Sequence, residues 1–264
     1  MNTSVFKSIA KRLAATSLVL ALAAIFALAQ AAAQAGAPED HFDRAKKLAA
    51  DGNLKAAAGE YKQAIAAAGG KYAEAHNNLG MVYGMMGDPE QAVREFMTAI
   101  EQRGGDYAEA HYNLGIALSL TDDLAGAERE FNTAIRQKPG EFAEAHGNLG
   151  ILYARRGEAG RAVTEFQTAI EQAEGDYAEA HYNLGISLFG MGKIEAAMAE
   201  FKDAIDQSDN FPEAHYNLAV AFAKMGKNED AAREFETYLK TAADPRDGDD
   251  VRTRIVELRK ASLK

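Results

Sequence analysis

The chain contains no cysteine and no tryptophan among its 264 residues, and only five prolines. Without cysteine there can be no disulfide, no thiol nucleophile and no thiolate metal site, so stability must come from packing alone. A lipid anchor built on a cysteine behind a leader segment is excluded for the same reason. Basic residues are also outnumbered, with 29 Lys and Arg against 39 Asp and Glu and a formal net charge of −10. Such a surface repels nucleic acid and anionic lipid, and a charged ligand for it would be basic. Catalytic signatures are missing as well: there is no nucleophile elbow, no HExxH and no Gly-rich dinucleotide fingerprint. Gly190–Lys193 reads GMGK, but Ser187 stands where a phosphate loop has its upstream glycine, and Ile194 follows. A non-enzymatic protein without cofactor or metal is the expectation.

What the chain does have is a period. All six histidines fall in one column, His41, His76, His111, His146, His181 and His215, spaced 35, 35, 35, 35 and 34 residues apart. Asparagine follows two residues after the last five of them: Asn78, Asn113, Asn148, Asn183 and Asn217. Leucine follows at the third position and glycine at the fourth, with Ala219 in the last copy. Sixteen residues after each histidine stands an alanine, and four further on an aromatic: Tyr61, Phe96, Phe131, Phe166, Phe201 and Phe235. A repeat of this size is one supersecondary unit stacked on copies of itself.

Within one period, apolar residues at three- and four-residue spacing draw one buried stripe on each of two helices. A glycine (Gly87, Gly157, Gly192, Gly226) marks the turn between them. Small residues let the two backbones approach, and the aromatic fills the gap to the neighbour. Burying each aromatic is worth roughly 1.5–3 kcal/mol.

These columns resemble the tetratricopeptide repeat (TPR) family, whose signature places an aromatic, Leu-Gly, Tyr, Ala, Phe and Pro at fixed offsets. The resemblance covers about residues 38–245 as six copies, approximately 38–72, 73–107, 108–142, 143–177, 178–211 and 212–245. Histidine replaces the usual leading tryptophan. The signature tyrosine survives as Tyr83 and Tyr153, and the closing proline only as Pro139. The first copy is the most divergent, with Arg44-Ala45 in place of Leu-Gly. The resemblance implies an all-α, right-handed superhelical solenoid of helix-turn-helix hairpins that binds a protein or an extended peptide.

The ends carry other expectations. Lys7, Lys11 and Arg12 precede an uncharged apolar run, Leu13–Ala29, with Ala-x-Ala sites near its end. That order is expected of a secretory signal peptide over residues 1–33, or of an inner-membrane anchor if it stays uncleaved. Either way the repeats would lie outside the cytoplasm, in the periplasm. Cutting after Ala33 removes those three basic residues and no acid, leaving 26 Lys and Arg against 39 Asp and Glu, a net of −13. After the acidic loop Asp244–Asp250, residues 246–264 are expected to cap the stack, with Val251, Ile255 and Leu258 on one helical face.

Three columns compete as functional sites. Equivalent histidines on packed helices lie about 8–10 Å apart, too far to share an ion bound at about 2 Å, so they are expected to pack rather than ligate. The asparagines sit two residues on, about 200° around the helix from the histidines. A repeated amide there can donate and accept at once along the backbone of an extended peptide. It resembles the asparagine ladder of peptide-gripping TPR superhelices. Next to it lie Tyr112, Tyr182 and Tyr216, and three residues beyond it an apolar strip of Met81, Ile116, Ile151, Ile186 and Val220. The glutamates two before each histidine are read as first-turn capping residues, with Asp106, Asp176 and Asn210 as caps three residues earlier. They also stand where TPR clamps for C-terminal carboxylates carry Lys or Arg, so no such clamp is expected. The expected partner is a protein or extended peptide bound in the concave groove by an envelope scaffold. The alternatives are a self-associating structural scaffold and, more distantly, a histidine-dependent metal or haem carrier.

Overall fold

The computed structural model describes residues 36–208, 210–243 and 248–263. The expected signal segment lies outside the described residues, as do Asp244–Asp247 of the acidic loop. Thirteen α-helices and no strand are found among the described residues, and no helix among them is long and apolar enough to cross a membrane.

The helices form two units. In the first, which ends at Asp106, α1 (Pro38–Ala50) pairs with α2 (Leu54–Ala67), α3 (Ala73–Met85) pairs with α4 (Pro89–Gln102), and α2 packs on α3. The second begins at Tyr107 and holds four hairpins. These are α5 (Ala108–Leu120) with α6 (Leu124–Gln137), and α7 (Ala143–Arg155) with α8 (Ala159–Gln172). They continue as α9 (Ala178–Gly190) with α10 (Ile194–Gln207), and α11 (Pro212–Lys224) with α12 (Asn228–Thr241). Helix α13 (Gly248–Ser262) closes this unit by burying Val251 and Ile255, with Leu258 beside them, against Ala232 and Phe235 of α12.

The turn between the two helices of a hairpin needs a left-handed residue, and glycine supplies it at Gly52, Gly87, Gly157, Gly192 and Gly226, with φ between 72° and 78°. The third hairpin puts Asp122 there at φ 65°. Inside the hairpins, glycine has a second use. A Cβ on Gly80, Gly115, Gly150 or Gly185 would sit 2.5–2.7 Å from the ring of Phe96, Phe131, Phe166 or Phe201 respectively. The bare backbone is what lets each ring lie flat against the first helix. Hairpins one and six have Ala45 and Ala219 at that position, and their aromatic pairs Phe42–Tyr61 and Tyr216–Phe235 stand nearly edge-on, at 68° and 73°. The pairs over glycine, Tyr112–Phe131 and Tyr182–Phe201, are tilted only 49° and 50°.

A polar tie joins the same two helices in every hairpin. Each histidine Nδ1 lies 2.6–2.7 Å from a glutamate 19 residues later: His41–Glu60, His76–Glu95, His111–Glu130, His146–Glu165, His181–Glu200 and His215–Glu234. An ionised carboxylate can only accept, so the imidazole donates in the last five pairs, while at His41 the Arg44 guanidinium also lies 2.7 Å from Nδ1. His41, His111 and His181 are buried. The column thus packs and links helices.

Candidate functional site

Counting from each histidine, the glutamate at −2, the asparagine at +2 and the apolar residue at +5 are spaced by four and then three residues. One helix face carries all three. In the second unit this stacks three rows across successive first helices: Glu109, Glu144, Glu179 and Glu213; Asn113, Asn148, Asn183 and Asn217; Ile116, Ile151, Ile186 and Val220. Ile151 and Ile186 are each 43% exposed, whereas Ile116 and Val220 are partly packed. In the first unit the same face carries Glu74, Asn78 and the exposed Met81.

All five asparagines are half-buried. Asn148 Nδ2 donates to the Tyr112 hydroxyl at 3.2 Å, and Asn217 Nδ2 to the Tyr182 hydroxyl at 3.0 Å. Asn183 Nδ2 donates to the backbone carbonyl of Glu179 at 2.9 Å. Asn78 Oδ1 accepts from Asn77 at 3.3 Å, and Asn78 is also hydrogen-bonded to the Tyr61 hydroxyl. The structure therefore joins ladder and tyrosines: Asn148 keeps its carbonyl oxygen and second amide hydrogen for a ligand, whereas Asn217 also donates to the Glu213 carbonyl at 3.2 Å and keeps its carbonyl oxygen.

The tyrosine rings are more engaged than the sequence implies. Tyr112 lies 5.7 Å from Phe142, and Tyr182 lies 4.9 Å from Phe211, each an aromatic just before the next hairpin's first helix. Tyr216 is held edge-on between Phe235 and Tyr238. The rings fill the seams between helices, and for Tyr112 and Tyr182 it is the hydroxyl that meets the asparagine. Burial raises the pKa of Tyr112 and Tyr182, helped by Glu144 and Glu213 respectively. Tyr177, beside Gly147, is pushed up to about 12 by burial and then by Tyr112, Glu144 and Glu179. These hydroxyls stay protonated in a negative field.

The glutamate row corrects the capping expectation. The residues preceding α5, α9 and α11 are Tyr107, Tyr177 and Phe211, and none makes a side-chain cap hydrogen bond. The chain extends by one more residue before turning helical, which takes Asp106, Asp176 and Asn210 out of the cap position. Two glutamates are instead paired with a cation at the end of their own hairpin, Glu74 with Arg103 and Glu109 with Lys138. The positions equivalent to those cations are Ala173, Ser208 and Ala242 in the last three hairpins. Among the described residues, Glu144, Glu179 and Glu213 have no ion-pair partner, and all three are exposed. The face of the second unit is therefore acidic along one edge, amide-lined in the middle and apolar along the other edge.

Sequence reasoning missed the glutamates that bind the histidines, although the signal was there: each forms a Glu-Phe or Glu-Tyr pair with the aromatic column. It also missed a network between hairpins, in which Glu128 of α6 accepts from the Tyr153 hydroxyl at 2.8 Å and pairs with Arg156 and Arg161. Burial, followed by the hydrogen bond and negative charge of Glu128, pushes the Tyr153 pKa up to about 12 against the opposing charge of Arg161.

Family models described as tetratricopeptide repeat match residues 71–139, 122–179 and 213–244, and one described as TPR repeat matches 187–226. No curated protein sequence matches the chain. Among solved structures, the fold is similar to the APC/C hetero-tetramer Cut9–Hcn1, with TM-score 0.69 and 13% identity over 83% of this chain and 43% of that one. The chain thus spans less than half the length of that relative. A tetratricopeptide repeat protein of Parabacteroides merdae gives TM-score 0.67 at 18% identity, covering 85% of this chain and 87% of its own. YrrB, a TPR protein with an unusual peptide-binding site, gives 0.58 at 20% identity over 76% and 97%. Six helical hairpins in register, each with the Leu-Gly or Ala seat beneath an aromatic, agree with these matches: the chain belongs to the tetratricopeptide repeat family.

Proposed function

We propose that this protein is a non-enzymatic scaffold that grips an extended peptide segment of a partner protein along the first-helix face of its second unit. The observation that carries this reading is the register of three chemically distinct rows on that face. Asn113, Asn148, Asn183 and Asn217 hold the ligand's main chain, which every sequence presents alike. Ile151 and Ile186 take apolar side chains, and the unpaired Glu144, Glu179 and Glu213 favour lysine or arginine on the other edge. Tyr112 and Tyr182 brace the ladder more than they read the ligand, and Tyr216 lies at its end between Phe235 and Tyr238. Asn78 supplies the same amide on the first unit. The peptide site of YrrB supports the class of ligand, on a relative of similar fold. The basic stretch and the apolar run Leu13–Ala29 support a place outside the cytoplasm, in a bacterial envelope.

Selection from a random peptide library on the immobilised repeats tests the ligand class. Enrichment of extended sequences that combine Lys or Arg with aliphatic residues, weakened by salt, is expected. Enrichment of acidic sequences, or of none, would contradict the reading.

A further inference from the structure

The fifth hairpin differs from the other five at one position on its second helix. Twenty-two residues after the histidine, the others carry Gln63, Thr98, Thr133, Thr168 and Thr237. The four threonines turn their hydroxyls into their own helix, donating to the carbonyls of Arg94, Arg129, Thr164 and Arg233 at 2.8–3.1 Å. The fifth hairpin has Asp203 instead, one turn beyond Glu200. It brings a third ligand-competent side chain to a pair that every hairpin owns: donor atoms of His181, Glu200 and Asp203 all lie within 4.8 Å of one another.

The imidazole is held for this role. His181 Nδ1 faces Glu200 Oε2 at 2.7 Å, while Nε2 faces the Gly175 carbonyl at 3.3 Å. That carbonyl also accepts from Gln207 Nε2 at 2.7 Å. A histidine whose Nε2–H is anchored on a carbonyl offers Nδ1 to a cation, the arrangement that metal-ligating histidines use to fix their tautomer. We propose that His181, Glu200 and Asp203 form a binding site for a divalent transition cation of the Zn²⁺ class. One imidazole and two carboxylates suit such an ion better than Ca²⁺ or Mg²⁺, which prefer all-oxygen shells. Binding displaces the proton that His181 Nδ1 shares with Glu200. Donors on a tetrahedral ion at about 2.0–2.1 Å sit roughly 3.3 Å apart, so Asp203, which is exposed, swings in and the His181–Glu200 contact opens slightly. Water completes the shell on the open side. The histidines of different hairpins take no part together; the site lies within one hairpin.

The test is calorimetric titration of the untagged chain with Zn²⁺. The parent is expected to bind one equivalent. Asp203→Thr, which installs the residue four other hairpins carry here, is expected to weaken binding by roughly ten-fold or more with an unchanged circular dichroism melt. Thr98→Asp builds the same trio with His76 and Glu95, where His76 Nε2 faces the Gly70 carbonyl and Gln102 donates to it, and is expected to add a second equivalent. Parent-like binding in Asp203→Thr, no binding by the parent, or parent stoichiometry in Thr98→Asp would each overturn the proposal.

Discussion

The inside of each hairpin and its open face repeat with different fidelity. Inside, the histidine–glutamate tie recurs in all six hairpins at 2.6–2.7 Å, and the aromatic is buried every time. At the seams bordering the open face, the residue after the histidine runs Phe42, Asn77, Tyr112, Gly147, Tyr182 and Tyr216. The glutamate row on that face is neutralised at Glu74 and Glu109 but not at Glu144, Glu179 or Glu213. The hairpins are interchangeable as packing units and individual as surfaces. The proposed partner reads the face that varies, held in place by the interior that does not.

The comparison breaks most sharply at the interior. Phe166→Ala removes a ring that is 1% exposed and is expected to cost about 3–5 kcal/mol in urea denaturation followed by circular dichroism. Gly150→Ala places a methyl 2.5 Å from that ring and is expected to cost about 1–3 kcal/mol. Gly84→Ala, on the same kind of helix but with nothing within 4 Å, is expected to stabilise by up to about 1 kcal/mol. Equal effects of the two glycine substitutions would show that ring seating is not what sets the glycine column. At the turn, Asp122→Gly relieves a left-handed aspartate and is expected to gain about 0.5–1 kcal/mol, less whatever its exposed pairing with Arg155 contributes.

The smallest effects depend on pH. The Tyr153 hydroxyl has a folded-state pKa raised to about 12 from an ordinary 10.0. Its contribution is full below pH 10 and is lost as pH rises towards 12. The urea midpoint should fall more steeply across that window in the parent than in Tyr153→Phe. On the acid side, the His41 hydrogen bond chiefly holds the Glu60 carboxyl below its ordinary 4.5. That contribution is present above about pH 4.5 and fades below it, so Glu60→Gln should flatten the acid limb.

The hairpins were legible in the sequence because packing repeats with the chain's own period: histidine, glycine and phenylalanine columns name both helices and the seam between them. The spacing that sets each asparagine and the apolar residue three beyond it on one helix face was legible for the same reason. What lay hidden depends on contacts the one-hairpin pattern does not express. Glu95 or Glu165 reads as one surface charge among many until the fold sets it against His76 or His146. Tyr112 and Tyr182 read as groove residues until the aromatic before the next helix, Phe142 or Phe211, packs against them. Asp106 and Glu109 have capping-box spacing, yet one residue of extra turn and the nearby Lys138 redirect the glutamate. Asp203 broke a column of threonines in plain sight, but only the folded hairpin places it beside His181.

The central claim is that the open face of the second unit binds through its amides. The most direct measurement is the affinity of a library-selected basic, apolar peptide for the parent and for an Asn113→Ala, Asn148→Ala, Asn183→Ala variant, by fluorescence anisotropy. Far-UV circular dichroism must first show both equally folded. The account predicts that the variant loses about ten-fold or more, since several main-chain hydrogen bonds of about 0.5–1.5 kcal/mol each disappear together. Equal affinity in a folded variant would contradict it and move the binding surface off the ladder.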